Sequence, residues 1–308
     1  MLTNYINRTS MSSIFVIGSS NTDMVIKSTR LPAPGETIIG GSFLMTPGGK
    51  GANQAVAAAK LGGSVTFACK VGDDIFGKQA VQGFKDAGIN TEFIGTDSDQ
   101  PSGVALILVD GHGENSIAVA SGANGNFHTG ELENVIEKIG SGDTVLFQLE
   151  IPIATVEYAI QKCHTKGAKV ILNPAPANRL DDEVFRFIHI ITPNETEAEL
   201  LTGIKVIDLQ SAAVAAGNLL GKGVGNVIIT MGSKGAYIHN HSLQKLIASP
   251  KVTPVDTTAA GDVFNGALAV SLSENVDLEQ AVNFACRAAA ISVTRMGAQA
   301  SAPDRSEL

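Results

Sequence analysis

IFVIG, residues 14–18, sets four apolar side chains in a row and closes them with a glycine. A strand with one wet face alternates apolar and polar residues. A strand buried on both faces does not, so this run reads as one strand of a covered parallel sheet. The pattern recurs at SVTFAC (64–69), DTVLFQL (143–149), AKVIL (168–172), IHIIT (188–192) and NVIIT (226–230). Segments with the helical repeat separate most of these runs: GANQAVAAAKLG (51–62), IFGKQAVQGFKDAG (75–88), ATVEYAIQKCHTKG (154–167) and SAAVAAGNLLGKG (211–223). Glycine after a basic last turn is a helix stop. Strand–helix alternation of this kind builds an α/β fold, an open parallel sheet with helices on both faces.

Two stretches break the alternation. Residues 24–46 hold MVIK, LPAPGE and TIIGGSF; residues 103–120 hold GVALILV, DGHGEN and SIAVA. Each reads as two strands joined by a turn-rich loop. Four strands without covering helices leave one sheet face open, which suits a lid over a site, a dimer surface, or both. An antiparallel extension of the main sheet is the plainer alternative. The lid is preferred because both insertions leave and rejoin beside polar, Gly-rich segments.

The 308 residues fit one α/β domain with insertions, and 44% hydrophobic with 17% charged residues suits a packed globule. A net charge of −8 without a Lys/Arg cluster disfavours nucleic acid and anionic membranes as partners. No apolar run has bilayer length. MLTNYINRTSMSS lacks the apolar stretch of a signal peptide; residues 1–12 are expected to be a disordered extension, with Met11 as an alternative start. Cys69, Cys163 and Cys286 form neither a disulfide framework nor a zinc spacing, so a reduced, cytoplasmic protein is expected.

Two common nucleotide signatures are missing. A P-loop needs Ser or Thr after Gly-Lys, and Gly49-Lys50 is followed by Gly51; GKGANQ (49–54) lacks the third glycine of a dinucleotide fingerprint. TPGGKGANQAVAAAKLG (46–62) nevertheless puts paired glycines before a helix, with Lys50 and Asn53 near the end where free N–H groups and the positive dipole lie. A Gly-rich turn with a solvated lysine is the plain reading. In GSSNTD (18–23), Asn21 and Asp23 offer the mixed donors and acceptors a polyol needs, or else form an Asx turn. Glu150 follows a strand, at the sheet end where ligands bind, or is a helix-terminal acid before Pro152. In TPNETEAELLTG (192–203), Asn194 suits a helix cap and Glu195, Glu197 and Glu199 suit its first turns. In ITMGSKGAYI (229–238), Gly232 and Gly235 mark a turn that also lets a ligand approach the backbone.

VDTTAAGDVFNGALA (255–269) carries the most chemistry. Val263, Phe264, Ala267, Leu268 and Leu272 form a helical apolar stripe, so Ala259, Ala260 and Gly261 fall at a helix start with unpaired N–H groups. That is an anion hole suited to a phosphoryl group gaining charge, and Asp262 beside it can take a proton from an attacking hydroxyl. The helix dipole predicts a low pKa for Asp262, tolerable where a loose transition state needs orientation more than early deprotonation. Asp256, a second carboxylate nearby, calls for a cation; the loop offers carbonyls and Thr258, hard oxygen ligands suited to potassium. Neutralisation by Arg295 is the alternative.

Together these segments, with NPAPA (173–177), TMGSKG and TRMGAQAS (294–301), resemble the ribokinase-like family of carbohydrate kinases over nearly the whole chain beyond residue 12. The resemblance implies a three-layer α/β/α sandwich with a mostly parallel central sheet and a small β-sheet lid, inserted at about 21–48 and 102–120, that pairs with a second subunit as a homodimer. It implies transfer of the ATP γ-phosphate to a sugar hydroxymethyl group, with D-ribose as the preferred acceptor. Another sugar (deoxyribose, fructose), a nucleoside, or a non-catalytic sugar sensor are the alternatives. Asp262 matches the base, and Ala259, Ala260 and Gly261 the anion hole. Asn21, Asp23, Gly49, Lys50, Asn53 and Glu150 match sugar contacts. Asn194, Thr230, Gly232, Ser233 and Gly235 match nucleotide contacts, and Glu197 a motif linked to magnesium and phosphate. Asp256, Thr258, Ser292, Arg295, Gly297 and Ser301 match a monovalent-cation (K+) site. Cys286 stands where some members place a histidine near the adenine.

Overall fold

The computed structural model describes residues 12–112 and 114–308; residues 1–11 of the expected extension lie outside them. Among the described residues the chain order is β1 (Ile14–Ile17), β2 (Asn21–Lys27), β3 (Ser42–Gly48), α1 (Lys50–Lys60), β4 (Val65–Gly72), α2 (Ile75–Asp86) and β5 (Asn90–Asp97). Next come β6 (Gly103–Val109), β7 (Asn115–Ala120), α3 (Glu133–Lys138), β8 (Thr144–Phe147), α4 (Ile153–Thr165), β9 (Lys169–Leu172) and β10 (Ile190–Ile191). The remainder is α5 (Glu195–Thr202), α6 (Leu209–Gly221), β11 (Asn226–Thr230), β12 (Ala236–His239), β13 (Gln244–Ile247), α7 (Ala260–Ser273) and α8 (Leu278–Ser292).

The main sheet runs β13-β12-β11-β10-β9-β8-β1-β4-β5, parallel except for β12 and β13. Successive side chains of β1 serve opposite faces. Ile14 and Val16 pack with α1, α7 and α8, whereas Phe15 and Ile17 pack with α4 and α6. Burial on both sides is why IFVIG has no polar alternation; each such side chain contributes about 1.5–3 kcal/mol by leaving water. The expected helix stops hold: Gly62, Gly88, Gly167 and Gly223 all have positive φ, a conformation glycine adopts without penalty.

Strand order reverses at β1, between β8 and β4, so the crevice beyond the carboxyl ends of β1 and β8 is the topological switch point. The segments Ser19–Asn21 and Gln148–Glu150 follow those strands at that end of the sheet.

The four lid strands form their own sheet, β3-β2-β6-β7, and not an extension of the main one. One expectation fails here. TIIGGSF was expected to be the second lid strand, but β3 begins only at Ser42 and runs through Thr46, Pro47 and Gly48. Gly40 (φ 116°) and Gly41 (φ 97°) lie in the left-handed region and break any earlier strand; a Cβ on Gly41 would meet the Lys27 carbonyl at 2.2 Å. Likewise Asn21 and Asp23 are not in a turn; they begin β2. Register puts Val25, Leu44, Ile107 and Ile117 in one row facing a cleft, and Ile26, Phe43 and Leu108 in a row on the other face. Both faces of the lid are therefore apolar, and Phe43 is 63% exposed.

Candidate active site

α7 starts without a side-chain cap. Its N-cap residue, Ala259, is left-handed (φ 59°), and the N–H groups of Gly261 and Asp262 bond to nothing among the described residues. Ala260 N–H reaches back to Thr257 O at 3.3 Å. A Cβ on Gly261 would meet no atom of the described residues within 4 Å, so among them the ground in front of the helix is open. An uncapped, unobstructed helix start is an anion site by dipole and by geometry.

Asp262 sits one step inside, 6% exposed. Its Oδ2 accepts from Asn53 Nδ2 and its Oδ1 from Gln54 Nε2, both at 3.0 Å. Contrary to the dipole argument, its pKa is raised. Burial penalises the anion more than Lys50, Asn53 and Gln54 stabilise it, and Glu150 adds repulsion. Asp262 is thus a stronger base than the dipole alone would make it.

Lys50 is the first residue of α1, half-buried among Asp262, Glu150, Glu197 and Asp23. Burial opposes its charge, but these carboxylates hold its pKa above the usual lysine value. Burial, then Glu150 and Asp262, push Asp23 up to about 6 against the pull of Lys50. Glycines make the approach possible: a Cβ on Gly48 would lie 2.2 Å from Asp23 Oδ1, and one on Gly49 (φ 90°) 2.7 Å from Asn21 N. Asn21 is buried and its Oδ1 accepts from Asn124 Nδ2 at 2.8 Å. Glu150 Oε2 accepts from Ser19 Oγ at 2.5 Å and from Lys50 N–H at 2.9 Å, so it caps α1 and not the helix that follows it. Among the described residues Asn53 Oδ1 is buried and accepts no hydrogen bond.

On the other side of Gly261, Asn194 caps α5 in a reciprocal pair with Glu197: Asn194 Oδ1 accepts from Glu197 N at 2.8 Å and Glu197 Oε2 from Asn194 N at 2.9 Å. The cap is real, yet both residues also line a cavity with Lys50, Thr230 and Asp262. Burial raises the pKa of Glu197. A second cavity shares Asn194, Thr230 and Gly261 with the first and adds Gly232, Gly235 and Cys286. Gly235 (φ 111°) allows close backbone approach, since a Cβ there would meet Ile247 O at 2.0 Å. Ser233 is exposed in the turn between β11 and β12 and does not line this cavity. Burial pushes the Cys286 thiol up to about 12, so it offers surface and not a nucleophile.

Asp256 joins two loops. Its Oδ1 accepts from Thr258 N and its Oδ2 from Gly297 N, both at 2.9 Å, and Val293 O accepts from the N–H groups of Val255 and Asp256. Burial pushes its pKa up, but the hydrogen bonds from Thr258 and Gly297 win and hold it below the usual value. Arg295 does not neutralise it; the guanidinium pairs with Glu307 instead. Ser292 and Ser301 are buried on the segment from the end of α8 onward, with hydroxyls donated to Ala289 O and Ala298 O. Each hydroxyl oxygen keeps lone pairs. The donors are hard oxygens throughout, which fits a monovalent alkali cation. Among the described residues no group of three or more His, Cys, Asp or Glu is placed to hold a metal. Glu197, which lines the first cavity together with Asp262, fits the habit of Mg2+ of binding through one or two carboxylates, waters and phosphates.

Sequence reading missed Gln54, Asn173, Asn124, Gln148 and Asn265. Asn265 ties the α7 start to Thr192, the residue after β10, donating to Gly261 O at 2.8 Å and accepting from Thr192 Oγ1 at 2.7 Å. The available signal was a fully buried type of position filled by amides: Gln54 interrupts an Ala/Val run, and Gln148 ends an apolar one.

The sequence model of the family described as pfkB family carbohydrate kinase matches residues 11–305. The chain is 46% identical to the ribokinase of Haemophilus influenzae over 292 residues, covering 95% of each chain. It is 39% identical to the deoxyribokinase of Salmonella typhi, covering 94% of this chain and 95% of that one. The structure of Arabidopsis thaliana ribokinase complexed with ribose and ATP is similar to it, with a TM-score of 0.90, 32% identity and 96% of both chains covered.

Proposed function

The chain belongs to the pfkB carbohydrate kinase family, and from that premise we propose that it phosphorylates D-ribose at the 5-hydroxyl with ATP, giving ribose 5-phosphate and ADP. The observation that carries the chemistry is the buried Asp262 beside the open start of α7, where two cavities meet. In this reading the sugar lies among Asn21, Asp23, Gly49, Lys50, Asn53 and Glu150, and the nucleotide against Asn194, Thr230, Gly232, Gly235 and Cys286, which line the second cavity; Ser233 stands outside it. The 5-hydroxyl gives its proton to Asp262 as its oxygen bonds to the γ-phosphorus. The bond to the β-phosphate oxygen breaks and its electron pair leaves with ADP. The N–H groups at Ala259–Gly261 and the Lys50 ammonium receive the charge that develops on the transferring group. Glu197 would hold Mg2+, which offsets phosphate charge when bound. The test is ADP release measured across a panel of sugars. Ribose is expected to have the highest kcat/KM; a higher value for 2-deoxyribose or fructose would overturn the acceptor, and no sugar-dependent ADP would support the non-catalytic sensor.

Asp23 gives this site a pH dependence. As a carboxylate it accepts charge-assisted hydrogen bonds from sugar hydroxyls; protonated, it loses the charge and one oxygen becomes a donor. With its pKa near 6, KM for ribose should rise as pH falls through that value, by up to about tenfold per unit well below it, and Asp23→Asn should abolish the trend.

The cation site belongs to the same proposal. Potassium held by Asp256, Thr258, Ser292, Arg295, Gly297 and Ser301, several through carbonyls, would fix the 256–261 loop so that its N–H groups face the phosphoryl. Activity is expected to rise when K+ replaces a large organic cation at constant ionic strength, and Asp256→Ala should blunt the response. Equal rates with and without K+ would remove the cation from the account.

A homodimer joined through the lid is also proposed, supported by Phe43 and Leu106, 63% and 54% exposed. Sedimentation should find a dimer at micromolar concentration, and Phe43→Glu should shift it toward monomer. A cytoplasmic location is inferred from three free, buried cysteines; among the described residues no helix is long and apolar enough to cross a membrane.

A further inference from the structure

Gln54 has no solvent exposure. Both of its N–H donors and its carbonyl oxygen are directed at the reaction centre and its support. One Nε2 hydrogen goes to Asp262 Oδ1 and the other to Asn173 Oδ1, both at 3.0 Å, and Oε1 accepts from Gln148 Nε2 at 2.6 Å. The amide has one tolerable orientation. Turned over, its carbonyl would face two acceptors and its NH2 would face another NH2. Gln148 is fully buried too, and its own Oε1 has no partner among the described residues; it lies beside Gly18, where a Cβ would be 2.0 Å from that oxygen. A buried, unpaired carbonyl is unfavourable, and the arrangement keeps it so that the other end of Gln148 can donate to Gln54. The exit of β8 thus grips α1 at two points one helical turn apart, Glu150 on the Lys50 N–H at 2.9 Å and Gln148 on Gln54.

We propose that Gln54 is a positioning residue for phosphoryl transfer: with Asn53 on Oδ2, it fixes the plane of the Asp262 carboxylate, and Gln148 anchors it to the end of β8. The proposal rests on Asp262 being the base. Two neutral donors, one on each oxygen, leave each oxygen a free lone pair in a set direction, so an incoming hydroxyl proton has a defined destination. Both donors also favour the anion, so the loss of one should raise the proton affinity of Asp262.

Gln54→Met keeps the length and removes the donors. It should lower kcat by roughly 10–100-fold, leave KM for ATP within about twofold, and move the acid limb of the kcat–pH profile upward by about one unit. Gln148→Met, which leaves the Gln54 donors but frees their anchor, should move the limb in the same direction by less. It serves as the reading if Gln54→Met does not fold. Val56→Ala, a core truncation in the same helix, controls for destabilisation: it should lower Tm and leave the limb in place. An unmoved limb in both glutamine variants, with Asp262→Asn inactive, would overturn the positioning role and leave the base intact. An active Asp262→Asn enzyme would remove both.

Discussion

Asp262→Asn is expected to turn over at roughly 10⁻²–10⁻⁴ of the wild-type kcat, the usual loss when a general base is removed. The substitution keeps the shape and deletes the proton acceptor. It also alters the hydrogen bonding around it. Two donors, Asn53 Nδ2 and Gln54 Nε2, now share a carboxylate; an asparagine offers them one oxygen and one NH2, so one donor faces a donor. A buried mismatch of that kind costs about 1–3 kcal/mol, visible as a lower Tm, and is separable from the chemical effect because the folded fraction can be measured. KM for ATP should change little, since the nucleotide contacts lie beyond Gly261. The acid limb of the wild-type kcat–pH profile should vanish with the carboxylate. Its direction follows from the raised pKa of Asp262: activity rises as pH passes through that pKa and the group ionises. Near wild-type turnover by folded Asp262→Asn protein would end the base assignment.

Gly266→Ala is expected to be nearly as damaging to turnover, though residue 266 touches no substrate. It lies one turn beyond Asp262 on α7, where α7 crosses α1. A Cβ there would meet Gln54 O at 2.8 Å, Ala57 Cβ at 2.9 Å and Ala58 N at 3.0 Å. Two of these are backbone atoms of a packed helix and cannot swing aside, so the helices must part. The strain should cost about 1–3 kcal/mol of stability. Separation also lengthens the 3.0 Å bonds from Asn53 and Gln54 to Asp262, and a displacement approaching 1 Å at a reacting group costs on the order of 10²-fold in rate. Gly83→Ala provides the contrast. It is also a helix-interior glycine, in α2, but no atom of the described residues lies within 4 Å of its Cβ, so alanine there should stabilise by about 0.5–1 kcal/mol and leave kcat unchanged. Equal behaviour of the two variants would show that helix–helix distance at Gly266 does not hold the base.

The local code determined a good deal by itself. Continuous apolar runs ending at glycine specify strands buried on both faces, and the helical repeat with glycine stops specifies what covers them; both are short-range patterns, and β1, β4, β8, β9, β11 and α1, α2, α4, α6 lie where those patterns put them. The start of α7 was legible for the same reason, because small residues before an apolar stripe mark a helix end with free N–H groups. Other features depend on distant partners and were not legible. β3 is displaced toward its C-terminal end because Gly41 must pass close to the Lys27 carbonyl, 14 residues earlier in the chain. Arg295 is taken by Glu307, so it leaves Asp256 to the N–H groups of Thr258 and Gly297. The dipole at the head of α7 suggested a low pKa for Asp262, but desolvation is set by what packs around the carboxylate, and that is decided by α1 and β8. Gln54 and Gln148 looked like ordinary polar residues, because an amide acquires direction only when its partners, 94 and 208 residues away in sequence, are brought to it. Sequence specified the elements and the candidate groups, which are properties of neighbouring residues; tertiary structure decided protonation and orientation, because burial and hydrogen-bond geometry are summed over groups that meet only in the folded chain.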